Sequence, residues 1–254
     1  MTLQQELFTY LFQTKLSSWT PLSAPLHGYF NDEEIALLRR RSRRFQNNRR
    51  TVVLLSYENR YATLGGLAAV IRQFPGVLAA GGEKVLLLTP FHRNCTSVRK
   101  AVASGKLLKR FSGHTISVCN FHGAAGCYEE AGSEVPSFHI DVSGRFTAGD
   151  NPYAYKNEED LLFDALAFCA AVPAVLERLG YTDNLLFHAH DWETAPVAIF
   201  ARYSVISSIL QQVTTVLTLH NLFDVYLPLH LKKLFFGKVG VEDKGCSGVI
   251  VQTL

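Results

Sequence analysis

Two short tracts carry most of the residues that could do chemistry. His188-Ala-His190-Asp191-Trp192 and, one helix–strand unit later, His220-Asn221-Leu222 bring together three imidazoles and a carboxylate. Such groups could ligate a metal, move protons or complete a nucleophile's triad. No H-E-x-x-H motif and no H-x-E tract with a C-x-x-C partner accompanies them, so no metal is expected. Alternation along a strand is read as leaving only one of His188 and His190, with its neighbours, to reach a site. Asp191 reads as the N-cap of the next helix, its carboxylate facing the helix start, which would place that helix mouth at a ligand cleft. Neither a G-x-S-x-G elbow nor a Cys/His pairing is present, so a hydrolase triad has no support, and His220 alone reads as a structural histidine. Gly65-Gly66 opens another helix. A backbone without Cβ lets a ligand come close, and N–H groups at a helix start favour an anion; a tight strand-to-helix turn is the plainer reading. No GxGxxG follows the first strand and no P-loop motif occurs, which removes the main support for a dinucleotide or P-loop enzyme.

These groups need elements to position them. Residues 51–56 (TVVLLS) and 84–89 (KVLLLT) are short, continuously apolar runs, the mark of strands covered on both faces. Between them Leu67, Val70, Ile71, Phe74 and Leu78 recur at helical spacing, with Pro75 expected to kink the helix and Gly81-Gly82 to end it. This strand–helix–strand unit predicts a parallel, right-handed crossover. Residues 115–120 and 137–142 read as strands, as a hairpin or edge pair around 126–132. A long apolar helix is expected over 157–179, then a strand at 185–188, a helix over 192–203 and a strand at 213–219. The alternation predicts an α/β fold with a Rossmann-like open parallel sheet, in which ligands bind beyond the carboxyl ends of the strands. Glu58, Gly65-Gly66, His92, the 188–192 tract and His220-Asn221 all fall there.

The chain has 254 residues, 48% hydrophobic and 19% charged, enough for a sizeable core and unlike a disordered composition. The longest nearly apolar stretch, 165–176, contains Pro173 and is shorter than the roughly 20 residues a membrane span needs, so no membrane partner is expected. Seven arginines lie within 39–50; outside them acidic residues outnumber basic ones, 22 to 18. Without aromatic interleaving this cluster reads as a solvated linker, and no nucleic-acid partner is expected. It ends an N-terminal extension, residues 1–50, with short helices expected over 6–16 and 32–44; residues 51–254 form the main domain. The five cysteines show no CxxC spacing, and the N-terminus has no secretory pattern, which fits reduced thiols in a cytoplasmic protein.

Taken in order, Glu58-Asn-Arg-Tyr-Ala-Thr-Leu-Gly-Gly-Leu67, Leu86-Leu-Leu-Thr-Pro90, Asn151-Pro-Tyr153, His188-Ala-His-Asp-Trp-Glu-Thr194 and Thr218-Leu-His-Asn-Leu222 resemble the N-terminal domain of bacterial glycogen synthase and plant starch synthase. The resemblance covers residues 51–222. It implies the N-terminal half of a GT-B glycosyltransferase, two Rossmann-like domains facing a cleft. The implied reaction is retaining transfer of glucose from ADP-glucose or UDP-glucose to an α-1,4-glucan, with no cofactor and no metal. His220 and Asp191 would then be catalytic, with the His220 main-chain carbonyl near the positive charge that develops in the transition state. Thr63, Gly65, Gly66, Tyr153, His190 and Asn221 would bind substrate, the glycine N–H groups lying near the donor phosphates. An oxocarbenium-like transition state and a departing diphosphate call for preorganised dipoles more than for a strong base.

The resemblance also marks two departures. The family's glycine motif carries a lysine where Thr63 stands, and threonine brings no charge to the donor. The family's second domain, which holds most nucleotide-binding residues, is not in this chain, so the resemblance implies a separate C-terminal domain polypeptide and little activity alone. The competing reading is a non-catalytic glucan- or partner-binding module that keeps the fold; an NAD-type oxidoreductase rests on fold analogy only.

Overall fold

A computed structural model describes residues 50–203, 210–221 and 225–237. The expected helices over 6–16 and 32–44, the arginine cluster up to residue 49, Leu222 and Cys246 lie outside the described residues. Seven strands form one sheet: β1 (Thr51–Leu55), β2 (Lys84–Pro90), β3 (Leu107–Val118), β4 (Phe121–Glu130), β5 (Ser137–Val142), β6 (Asp183–His190) and β7 (Gln211–Thr218). Their spatial order is β3-β4-β5-β2-β1-β6-β7. The helices are α1 (Gly66–Ala80), α2 (Thr96–Ala103), α3 (Glu158–Leu179), α4 (Val197–Tyr203) and α5 (Leu229–Phe236).

β1 lies at the heart of the parallel part, paired with β2 on one side and β6 on the other. All five of its residues are buried, as its uninterrupted apolar run requires. The strand's two-residue period divides them between two layers. Val53 and Leu55 join the core under α3, while Val52 and Leu54 pack with Val85, Val135, Phe74 and Leu78 on the α1 side.

α3 is the main buried helix. Leu166, Phe168, Val172, Val175 and Leu176 are fully covered, each worth about 1.5–3 kcal/mol over exposure. Packing therefore outweighs its caps, though both ends are well made. Asn157 accepts the Asp160 N–H through its side chain, three acidic residues fill the first turn, and Gly180 turns left-handed at φ 82°. Pro173 sits inside α3, and no described helix is long and apolar enough to cross a membrane.

The structure differs from the sequence expectation in the β3–β4 hairpin and in the start of the helix after β6, and it keeps Pro75 inside α1. The expected strand at 115–120 is the end of a longer β3, joined to β4 by a tight turn at Cys119 and Asn120, and Gly126 lies within β4. This hairpin makes the sheet mixed at that edge, since β3–β4 and β4–β5 pair antiparallel while β5-β2-β1-β6-β7 are parallel. Pro75 lies within a single continuous α1. Residues 192–196 form successive turns, so the next helix begins at Val197 and not at 192.

Candidate functional site

β1, β6 and β7 run parallel, so their carboxyl ends meet at one rim of the sheet. Beyond β1 the chain folds back on buried polar side chains. Asn59 accepts the N–H groups of Tyr61 and Ala62 and donates to Thr89 and Pro90. The Glu58 carboxylate, 4% exposed, accepts the N–H groups of Leu64 at 3.1 Å and Gly65 at 3.2 Å. The carboxylate thus occupies the helix-start position where an anion was expected, and the Gly65 N–H already has a partner. Thr63 is exposed on this loop. A Cβ on Gly66 would meet nothing within 4 Å, so its bareness leaves open space for a ligand and is not forced by packing.

β6 extends through His190, which places both of its final histidines inside the strand. Residues two apart on a strand share a face. The His188 and His190 rings accordingly share a face and stack at 4.4 Å, and neither is among the residues lining the cleft at this rim, which corrects the expectation that one of them reaches the site. His190 stacks in turn on His220 at 5.2 Å, and their Nδ1 and Nε2 atoms are 2.8 Å apart. His188 Nε2 lies 2.7 Å from the Thr218 hydroxyl. Burial, then the neighbouring imidazoles, lower the His190 pKa to about 3, so this ring is neutral.

Asp191 does not cap the following helix. Its own N–H donates to the Thr218 carbonyl, and its Oδ1 accepts the His220 N–H at 2.7 Å. The turns before α4 account for the difference. Thr194 bonds back to the His190 carbonyl, Pro196 precedes the helix, and Asp191 adopts φ 63°, leaving its carboxylate directed at the end of β7.

Tyr153 approaches from the loop between β5 and α3. Its N–H donates to Asn151, and its ring lies 5.7 Å from that of Tyr57. Tyr57 meets the Tyr155 hydroxyl, and Tyr155 donates to the buried Asp164, which also accepts the Phe146 N–H. Burial, then the negative charges of Glu193, Glu58 and Asp191, raise the Tyr153 pKa, so the phenol keeps its proton.

These groups surround a cleft of about 690 Å³. Of the residues expected at the site, Gly65, Gly66, Tyr153, Asp191, His220 and Asn221 line it. Thr63 does not, and His190, 2% exposed, stands one layer behind His220. His92, expected beside the strand ends, is instead a core group: it is fully buried and bonded to the Tyr57 carbonyl, and burial lowers its pKa to about 4. Glu58 and Trp192, expected only as members of tracts at the strand ends, also line the cleft, and so does Glu193, for which no role was expected. Trp192 and Glu193 stand in the 188–194 tract, but no periodicity announces their burial. Among the described residues the lining holds Glu58, Asp191 and Glu193 and no lysine or arginine, so this wall suits neutral polar ligands better than phosphates. No group of three or more His, Cys, Asp or Glu is arranged to hold a metal ion among the described residues.

A family model for the starch synthase catalytic domain matches residues 51–244. This chain belongs to that family. Glycogen synthase from Pseudothermotoga lettingae is 28% identical over 181 residues, which cover 67% of this chain and 35% of that protein. Starch synthase 1 from Triticum aestivum is 29% identical over 171 residues, 64% of this chain and 26% of the relative. The chain thus spans about a third of the length of the curated relatives it matches, or less. The catalytic domain of starch synthase IV from Arabidopsis thaliana, solved with ADP and acarbose, has the same fold at TM-score 0.54 and 17% identity, covering 69% of this chain and 34% of that one. Membership of the starch synthase family agrees with the mostly parallel sheet and with the cleft at its carboxyl rim.

Proposed function

We propose that this chain is the acceptor-side domain of a glycogen/starch synthase-like glucosyltransferase, acting on an α-1,4-glucan and on ADP-glucose or UDP-glucose. One observation carries the reading: Asp191-braced His220, Tyr153 and the Gly65-Gly66 turn converge on one cleft at the rim of β1, β6 and β7. In this reading the wall built here handles the sugar. Tyr153 and Asn221 meet glucosyl hydroxyls, and Gly66 leaves room for the ring. His220, its N–H fixed by Asp191, turns its main-chain carbonyl towards the charge that grows at the transferred carbon, a preorganised dipole of the kind such transition states need. The diphosphate, which finds no cationic side chain among the described residues of this wall, is held by a second, nucleotide-binding domain. Transfer with retention then needs both walls, and no cofactor enters.

The test pairs glycogen co-sedimentation with glucosyl transfer from labelled ADP-glucose and UDP-glucose. The chain alone is expected to bind glycogen and to transfer little; adding the C-terminal half of a relative such as the Pseudothermotoga lettingae glycogen synthase is expected to raise transfer, and His220→Ala to remove the gain. Failure to bind either glucan or sugar nucleotide in both settings overturns the reading.

A second reading, a non-catalytic glucan-binding module, is favoured by a specific feature: Glu58 holds the Gly65 N–H, and Thr63 stands where the resemblance implies a lysine. Glycogen binding with no transfer in the two-part system, unchanged by Thr63→Lys, decides for it.

A further inference from the structure

Four buried side-chain atoms have no hydrogen-bond partner among the described residues: His92 Nδ1, Arg93 Nε, His190 Nε2 and Glu193 Oε2. Only Glu193 among them lines the cleft. The residue is 5% exposed, and its backbone carbonyl accepts a hydrogen bond from the Cys169 thiol of α3 at 3.3 Å, which ties it to that helix. A buried polar atom left unpaired costs about 1–3 kcal/mol, so an unpaired carboxyl oxygen on a residue that lines the cleft points to a ligand that completes it.

The neighbours narrow that ligand. Glu58 is engaged by the Leu64 and Gly65 N–H groups, and Asp191 by the His220 N–H. Tyr153 approaches from the facing loop, and Tyr57 lies beyond it at the end of β1. Among the described residues no lysine or arginine lines this wall to neutralise an added anion. A neutral polyol fits, because a hydroxyl both donates and accepts.

We propose that Glu193 is a substrate-contacting residue whose carboxyl donates a hydrogen bond to a hydroxyl of the glucosyl unit held in the cleft. This rests on the sugar-transfer reading above. Burial first, then the charges of Asp191 and Glu58, raise its pKa to about 8, against the pull of its own backbone N–H. The carboxyl therefore carries the donating proton at neutral pH and loses it in mild alkali. The hydroxyl belongs either to the acceptor glucan or to the donor's glucose.

Calorimetric titration of the full chain with maltoheptaose, ADP-glucose and ADP separates these. Glu193→Ala is expected to weaken saccharide binding about tenfold, while Glu193→Gln, which keeps a donor and an acceptor, stays within about threefold. A loss confined to maltoheptaose assigns the acceptor hydroxyl; a loss with ADP-glucose but not ADP assigns the donor. Wild-type affinity is expected to fall between roughly pH 7 and pH 9, and the Gln variant to lack that fall. If the Ala variant does not fold, the pH profiles of wild type and Glu193→Gln decide. Wild-type affinity in both variants, or a pH profile that survives Glu193→Gln, overturns the proposal and leaves the family-based function standing. A wild-type chain that binds no saccharide or sugar nucleotide overturns both.

Discussion

The Glu58 carboxylate lies 3.2 Å from the Gly65 N–H, so the start of α1 is closed by the protein's own anion. The same oxygen accepts the Leu64 N–H, making one buried group the organiser of the β1–α1 loop. Glu58→Ala strips two backbone donors of their charged acceptor and is expected to cost about 2–3 kcal/mol in urea unfolding. Glu58→Gln, which retains one amide oxygen, costs less. Equal, negligible effects would show that water replaces the carboxylate at no cost.

Gly66 separates binding from stability. A methyl there touches nothing in the protein and suits the first turn of a helix, so Gly66→Ala is expected to leave stability unchanged or raise it by up to about 1 kcal/mol. The same methyl projects into ligand space, so glycogen co-sedimentation should weaken. A variant that melts as wild type and binds glycogen as wild type removes Gly66 from the site.

How far the sequence anticipated this site varies element by element. β1, β2 and α3 were legible because full burial leaves an unbroken apolar run, and α3 carries its cap residues in place. The β3–β4 hairpin was not. β3 is largely solvated and has two register shifts, so its alternation is broken. The site residues on strand ends were legible through their motifs, yet the partner of Asp191 was misassigned. Sequence proximity favours the nearest helix start, whereas the folded chain offers the His220 N–H from a strand that arrives later. Glu193 was invisible for a related reason: nothing local marks a carboxylate as buried by α3 and faced by two other acidic residues.

Asp191 combines a left-handed backbone with a bond that spans two strands. Asparagine tolerates positive φ and keeps an acceptor oxygen, so Asp191→Asn is expected to stay folded and hold the His220 amide, at a cost near 1 kcal/mol. Asp191→Ala loses the acceptor and strains the turn, and should cost about 2–4 kcal/mol. The His220 amide resonance reads the bond directly: it should move upfield in the Ala variant and stay near its wild-type position in the Asn variant.

Glu193 also sets a slope in stability. With its folded pKa raised to about 8, its favourable contribution is complete below the unfolded value, roughly pH 4.5, and is lost as pH rises to about 8. Glu193→Gln has no such titration. The melting temperature of the variant relative to wild type is therefore expected to climb across this window and then level off. A constant difference would mean that Glu193 is ionised throughout.

The buried imidazoles act in the opposite sense. Burial is the main cause lowering His92 to about 4 and His139 and His190 to about 3, the latter two helped by nearby positive or titrating groups. A depressed histidine supports the fold above its unfolded pKa, roughly 6.5, and that support is withdrawn as pH falls towards the folded value. Each such ring steepens the acid limb by up to about 1.4 kcal/mol per pH unit, because the unfolded chain takes up a proton the native one refuses. His190→Phe preserves a flat ring against Phe74 and His188 but cannot titrate. Urea unfolding between roughly pH 6 and pH 4 should thus show a shallower limb in the variant, by about one proton's worth. An unchanged slope would place a proton on His190 in the native stack.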